Sequence, residues 1–214
     1  MPNPGVIGLT VENLACRRGE HEVFAGLSCS LHPGDVLYLR GPNGSGKSSL
    51  LRVLAGFIAP AAGEVSWDGE DMGADPEVHR SRLHYVGHLD TLKPVLTAAE
   101  NLRTQAALLG AAADVDTALK RFGLTALRDL PARFLSAGQR RRLALSRIVA
   151  VRRPLWLLDE PTVALDRESI ERLEALIAEH RDSGGMAVIA THMDMEIPGA
   201  YTLTLEGRRR MALP

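Results

Sequence analysis

Eight residues constrain this chain more than any others: Gly41-Pro42-Asn43-Gly44-Ser45-Gly46-Lys47-Ser48. They fit G-x-x-x-x-G-K-[ST], a loop whose glycines let successive backbone N–H groups converge on one anion, an approach that side chains would obstruct. Lys47 is spaced to reach the terminal phosphates of a nucleotide, and the Ser48 hydroxyl to help hold Mg²⁺. The flanks suit this reading. Asp35–Arg40 reads as a buried strand entering the loop, and Ser49 to Gly56 as a helix leaving it, so Ser49 joins the nucleotide-binding candidates. A bare glycine-rich turn is the alternative, and the strand-loop-helix context argues against it.

Two further apolar strands end in polar groups. Leu155-Trp156-Leu157-Leu158 runs into Asp159-Glu160-Pro161, as in a central parallel strand with acids at its C-terminal end. Asp159 is suited to orient Mg²⁺ and Glu160 to polarise an attacking water as general base. Neighbouring strand residues point to opposite faces, so the chain must turn there to bring both acids to one site. Gly185–Ala190 is the second such run, followed by Thr191 and His192. Between the phosphate loop and the acidic strand lies Leu135-Ser136-Ala137-Gly138-Gln139, where Ser136 is a good N-cap for the helix that follows. On its own that pentapeptide reads as an ordinary helix start.

In register with the phosphate loop and the acidic strand, it resembles the LSGGQ signature of ABC-type ATPases, with Ala137 at the first glycine position. Arg142, Ala144 and Arg147 follow at the family's spacing, and the resemblance spans about Ile7 to Leu205. It implies a P-loop NTPase of the ABC type: an α/β fold with a RecA-like parallel sheet core, an antiparallel β subdomain and a small helical subdomain. Residues 1–214 would form a single ATP-binding domain, with the helical subdomain over about 90–150 inserted in the core. The implied activity is hydrolysis of ATP, with Glu160, His192 and Lys47 catalytic. Ser136, Gly138 and Gln139 would meet the γ-phosphate held by a second copy of the chain. Thr162–Asp166 resembles the family's D-loop, with Val163 where serine is usual and Asp166 a nucleotide-site candidate. His192 matches the family's γ-phosphate sensor.

Two positions depart from the family pattern. Arg18 stands where an aromatic residue usually stacks on adenine, and a guanidinium can also stack on a flat base. His88 stands where a glutamine usually touches Mg²⁺ and water, and a neutral imidazole can accept from water or ligate a metal. The implied metal set is therefore Ser48, His88 and Asp159. Tyr85-Val86-Gly87-His88, Leu92-Lys93, Leu96-Thr97 and Glu100-Asn101-Leu102, with Phe24-x-Gly26-Leu27-Ser28, are similar to one ABC subfamily. That subfamily is the ATPase subunit of the cytochrome c maturation (haem exporter) complex. The resemblance implies integral membrane partner subunits, a peripheral place on the cytoplasmic face of the bacterial inner membrane, and ATP-driven haem export or release of a haem-loaded chaperone. The alternatives are another ABC exporter, a soluble non-transport ABC ATPase, or an adaptor that binds nucleotide without turnover. Intact Lys47, Asp159, Glu160 and His192 argue against the last.

Composition adds bounds. A formal net charge of -1 on 214 residues gives no bulk attraction to nucleic acid. Cys16 and Cys29, without C-x-x-C spacing, are expected as buried free thiols. No leader pattern and no apolar run of about 18 residues stands out, so membrane spans are expected from another polypeptide. Val6–Asn13, Val23–Leu31 and Glu64–Trp67 read as strands that, with Asp35–Arg40, would build the antiparallel part. Thr97–Leu109 and Asp116–Phe122 read as helices with Asn101 on the outer face, broken by Gly110–Ala113 and Gly123. Glu168–His180 reads as an amphipathic helix and Tyr201–Glu206 as a last strand. The arginine runs Arg140–Arg142, Arg152-Arg153 and Arg208–Arg210 are expected on solvated or partner-facing surfaces.

Overall fold

Apolar residues that repeat without alternation need cover on both faces, and three such runs form the centre of this molecule. In the computed structural model, which describes residues 8–206, these are β3 (Val36–Arg40), β7 (Leu155–Asp159) and β8 (Met186–Ala190). They lie in a five-stranded sheet with β6 (Leu83–Val86) and β9 (Tyr201–Thr204), in the order β6-β7-β8-β3-β9, and every pairing is parallel. The expected placement of Asp35–Arg40 in the antiparallel part is thus corrected. Val36 to Leu39 are all buried, and only a sheet covered on both faces offers such a run that environment.

The antiparallel sheet has the order β2-β1-β4-β5, from β1 (Leu9–Arg18), β2 (His21–Leu31), β4 (Ala62–Trp67) and β5 (Glu70–Asp71). The first strand passes Asn13, where its expected range stopped, because a bulge there keeps pairing alive: Asn13 takes φ 47° and its N–H donates to Ser28 Oγ at 2.9 Å. Val6, Ile7 and Arg208–Arg210 lie outside the described residues.

The helices are α1 (Lys47–Leu54), α2 (Pro76–Ser81), α3 (Ala98–Leu108), α4 (Val115–Arg121), α5 (Ala137–Ala150) and α6 (Arg167–Asp182). The expected reading contains neither α2 nor β6, although Asp75-Pro76 is a start signal for the former: Asp75 Oδ1 accepts from Glu77 and Val78 N–H at 3.2 and 3.0 Å. Between residues 98 and 150, α3, α4 and α5 pack on one another. Asn101 is not on their outer face. It is 1 % exposed, and its amide accepts from Lys93 N–H at 2.7 Å and donates to the Lys93, Leu96 and Thr97 carbonyls. A buried amide has to be paired, and this one ties the loop after β6 to the start of α3.

Alternation along β7 divides the interior. Trp156 and Leu158 join the core beneath α3–α6, whereas Leu155 and Leu157 join the core shared with α1 and the antiparallel sheet. Cys16 is buried as expected; Cys29 is only half-buried, and partial desolvation pushes its thiol pKa up. Because the five strands are parallel, the C-terminal ends of β3, β7 and β8 open at one edge, and the loops after them share that edge.

Candidate nucleotide site

The loop after β3 is built around conformations that favour glycine. Gly41 has φ 140°, and a Cβ there would lie 2.3 Å from the Leu205 carbonyl oxygen and 2.8 Å from Ser45 Oγ. At Gly46, φ 103°, a Cβ would meet Val23 Cγ1 at 2.7 Å. Inside the turn, Ser45 Oγ is buried with no partner, and Lys47 folds back so that Nζ donates to the Gly41 and Pro42 carbonyls at 2.7 and 3.1 Å. A buried hydroxyl in need of a partner, a lysine resting on its own loop and the open end of α1 form a cradle that fits an anion such as a phosphate chain.

Above that cradle sit the acids from β7. Ser48 Oγ donates to Asp159 Oδ1 at 3.0 Å, so two hard oxygen donors already share one spot. Asp159 is 2 % exposed. That donor chemistry fits Mg²⁺, which takes one or two protein oxygens and fills its shell with phosphate and water. Glu160 follows in a left-handed turn, φ 47°, with its N–H donating to the Ala190 carbonyl at 2.7 Å. This turn brings two adjacent carboxylates to one site. The Glu160 carboxylate accepts from the His192 N–H at 3.3 Å, and His192 Nε2 stands 3.3 Å from its other oxygen.

A cavity of about 360 Å³ over the loop collects Arg18, His88, Asp159, Glu160 and His192 with Asn43, Gly44 and Gly46 to Ser49. A larger groove of about 850 Å³, beside Trp156 and His180 at the opposite end of β7, holds none of these groups. Ser136, Gly138, Gln139 and Asp166 do not line the phosphate-loop cavity. Ser136 and Gln139 form a reciprocal cap on α5, with Oγ accepting at 3.2 Å and Gln139 Oε1 accepting at 2.8 Å. Gly138 is pressed to the Ala164 carbonyl, which a Cβ would approach to 2.9 Å. Asp166 caps α6 through Ser169, whose hydrogen bonds hold its carboxyl below the usual range.

Three arginines escape a motif-based reading. Arg40 Nη1 donates to the carbonyls of Thr191 and Met193, at 3.2 and 3.0 Å, one on each side of His192. Arg141, expected with its neighbours on a solvated or partner-facing surface, is 3 % exposed and donates to carbonyls at the end of β7. Arg153 also departs from that expectation, being half-buried with Nη2 on the Leu109 carbonyl at 2.9 Å. All three donate to carbonyls of distant segments, and no local pattern signals that.

The ABC transporter family model matches residues 24–163. A cytochrome c biogenesis ATP-binding export protein CcmA of Rhodospirillum rubrum is 58 % identical over 196 residues, covering 91 % of this chain and 84 % of the relative. Its namesake in Paramagnetospirillum magneticum is 55 % identical over 202 residues, covering 92 % and 93 %. In Haemophilus influenzae the figures are 42 % over 196 residues, covering 90 % and 92 %. Among solved structures, an ATP-binding subunit of an ABC transporter aligns with TM-score 0.83 at 23 % identity, covering 93 % of this chain and 87 % of that one. A putative ABC transporter ATP-binding protein from Pyrococcus furiosus aligns at 0.80 with 22 % identity, covering 92 % and 96 %. The structural likenesses bear on the fold alone.

Proposed function

The chain belongs to the ABC transporter family and is an ATP-binding ATPase of that kind; from this premise we propose that it drives an export complex for cytochrome c biogenesis. The contact that carries the mechanism is Glu160 held against His192 beside the Ser48–Asp159 pair. Glu160 polarises a water toward the γ-phosphate, and His192 keeps the carboxylate and the water aligned. Lys47 exchanges the Gly41 and Pro42 carbonyls for phosphate oxygens, and the backbone N–H groups of Gly44 to Ser48 donate to the same chain of phosphates. Ser48 and Asp159, with His88 at the rim, would hold Mg²⁺, which when bound would supply positive charge to the terminal phosphates. Arg18 covers the base. Ser136, Gly138 and Gln139, outside their own chain's cavity, meet the γ-phosphate of a second copy, with Asp166 near the same seam.

Residues 1–214 act as one domain, with about 90–150 as a helical subdomain that carries the Ser136 motif. No helix among the described residues is long and apolar enough to cross a membrane. Integral membrane subunits therefore supply the path, with this chain peripheral on the cytoplasmic face of the inner membrane. The names of the relatives support an export role in cytochrome c biogenesis; the cargo we infer for it is haem, exported or released on a loaded chaperone.

A tagged Glu160→Gln variant, purified from native membranes with ATP and Mg²⁺, tests this. Co-purified membrane subunits with a haem Soret band on a covalently loaded chaperone are the expected result. Recovery with an unrelated permease would keep the ATPase mechanism and discard the cargo.

A further inference from the structure

Arg141 is the one member of its arginine run that is buried, and every nitrogen of its guanidinium is in use. Nε donates to the Pro161 carbonyl at 3.3 Å. Nη2 donates to the Asp159 and Glu160 carbonyls at 3.1 and 2.7 Å. Nη1 donates to the Gly87 carbonyl at 2.8 Å and to Asp90 Oδ1 at 3.3 Å. One planar fork thus joins three separate segments: the first turns of α5, the exit of β7 and the loop that carries His88.

What it holds at the exit of β7 is a strained turn. Glu160 is a non-glycine residue at φ 47°, a conformation reached at a cost of about 1 kcal/mol or more unless its surroundings impose it. Its N–H is fixed to Ala190, and its carbonyl is fixed to Arg141. With the Val163 N–H on the same carbonyl, these bonds fix the backbone from which the carboxylate reaches His192. The same guanidinium holds Gly87, the residue before His88. Lysine could not reproduce this, because its point charge lacks the fixed fork.

We propose that Arg141 is a positioning residue for hydrolysis: rooted on α5 about one and a half turns past its cap Ser136, it sets Glu160 and His88 over the phosphate loop as one unit. Movement of α5 when Ser136 docks on nucleotide then reaches both groups through a single side chain. The proposal rests on Glu160 as the water-polarising base.

The test measures phosphate release and binding of a fluorescent ATP analogue for the full chain, in membranes that hold its partners. In Arg141→Lys, turnover falls about 10- to 100-fold while analogue affinity stays within about threefold, as expected when a reacting group is displaced by a fraction of an ångström. Arg141→Gln, which keeps one or two donors, gives the same split. A merely structural arginine would lower the melting temperature and leave the turnover of folded protein near wild type, and that result overturns the proposal. Should both buried variants fail to fold, Asp90→Asn at the rim weakens one arm of the clamp. A reduced turnover at unchanged affinity there supports the proposal, and wild-type turnover overturns it. Absence of phosphate release from the wild type would instead overturn the ATPase mechanism, and the inference with it.

Discussion

His84 shows how a single residue can make the fold sensitive to acid. Its ring is 2 % exposed on β6, with Nε2 2.7 Å from the Val151 carbonyl at the end of α5. Burial pushes its pKa down to about 3, offset in part by that hydrogen bond and reinforced by Arg147, Arg153 and His180 nearby. The folded state therefore keeps a neutral ring where the unfolded chain, near 6.5, takes up a proton. Stability is full above about pH 6.5 and is lost as pH falls toward 3, at about 1.4 kcal/mol per unit for this one group. Urea midpoints measured from pH 7.5 to 5 should hold to about pH 6.5 and fall below it, and His84→Gln should flatten that fall; an unchanged slope would remove His84 as its source. His79 and His180 are also depressed by burial and act in the same direction. At this scale the sequence was only partly legible. Glu160 and Asp159 announce themselves as acids ending an apolar strand. The left-handed turn that presents Glu160 does not, and neither do Arg40, Asn101 and Arg141, because each is paired with groups supplied by other segments.

Two helices begin with the same device and allow a controlled comparison. Thr97 and Glu100 cap α3 reciprocally, as Ser136 and Gln139 cap α5. Alanine at either cap should cost about 1 kcal/mol in denaturant unfolding. Ser136→Ala should also depress ATP turnover well beyond Thr97→Ala, because only its hydroxyl is proposed to meet nucleotide; equal turnover in the two would reduce the Ser136 motif to a helix start. Element types were legible wherever a run was long and regular, as with α3, α5, α6 and the strands β7 and β8. The assignment of β3 to the antiparallel part failed because four apolar residues in a row look alike in either sheet. What distinguishes them is cover on both faces, which helices far along the chain provide. The short β5, β6 and α2 carry too few residues for a period to emerge.

At the scale of the whole molecule, the phosphate-loop cavity and the Ser136 motif lie apart in one chain, and the proposed mechanism completes the site with a second copy. Mixing a Lys47→Ala chain with a Ser136→Arg chain tests this. Each alone should be inactive, while random pairing should restore about a quarter of wild-type phosphate release, since half the pairs hold one intact site of two. No recovery on mixing would place both halves of the site in one chain. The strand order has a separate consequence, for how the chain is made. β8 sits between β7 and β3, and β9 closes the far side of β3, so the strand feeding the phosphate loop leans on residues 186–204. On the ribosome the glycine loop emerges well before residues 186–204, the strands that brace it. A nascent chain therefore carries an unpaired, apolar β3 until residues 186–204 follow, and a product cut short before them has bare sheet edges, suited to chaperones and proteases rather than to ATP.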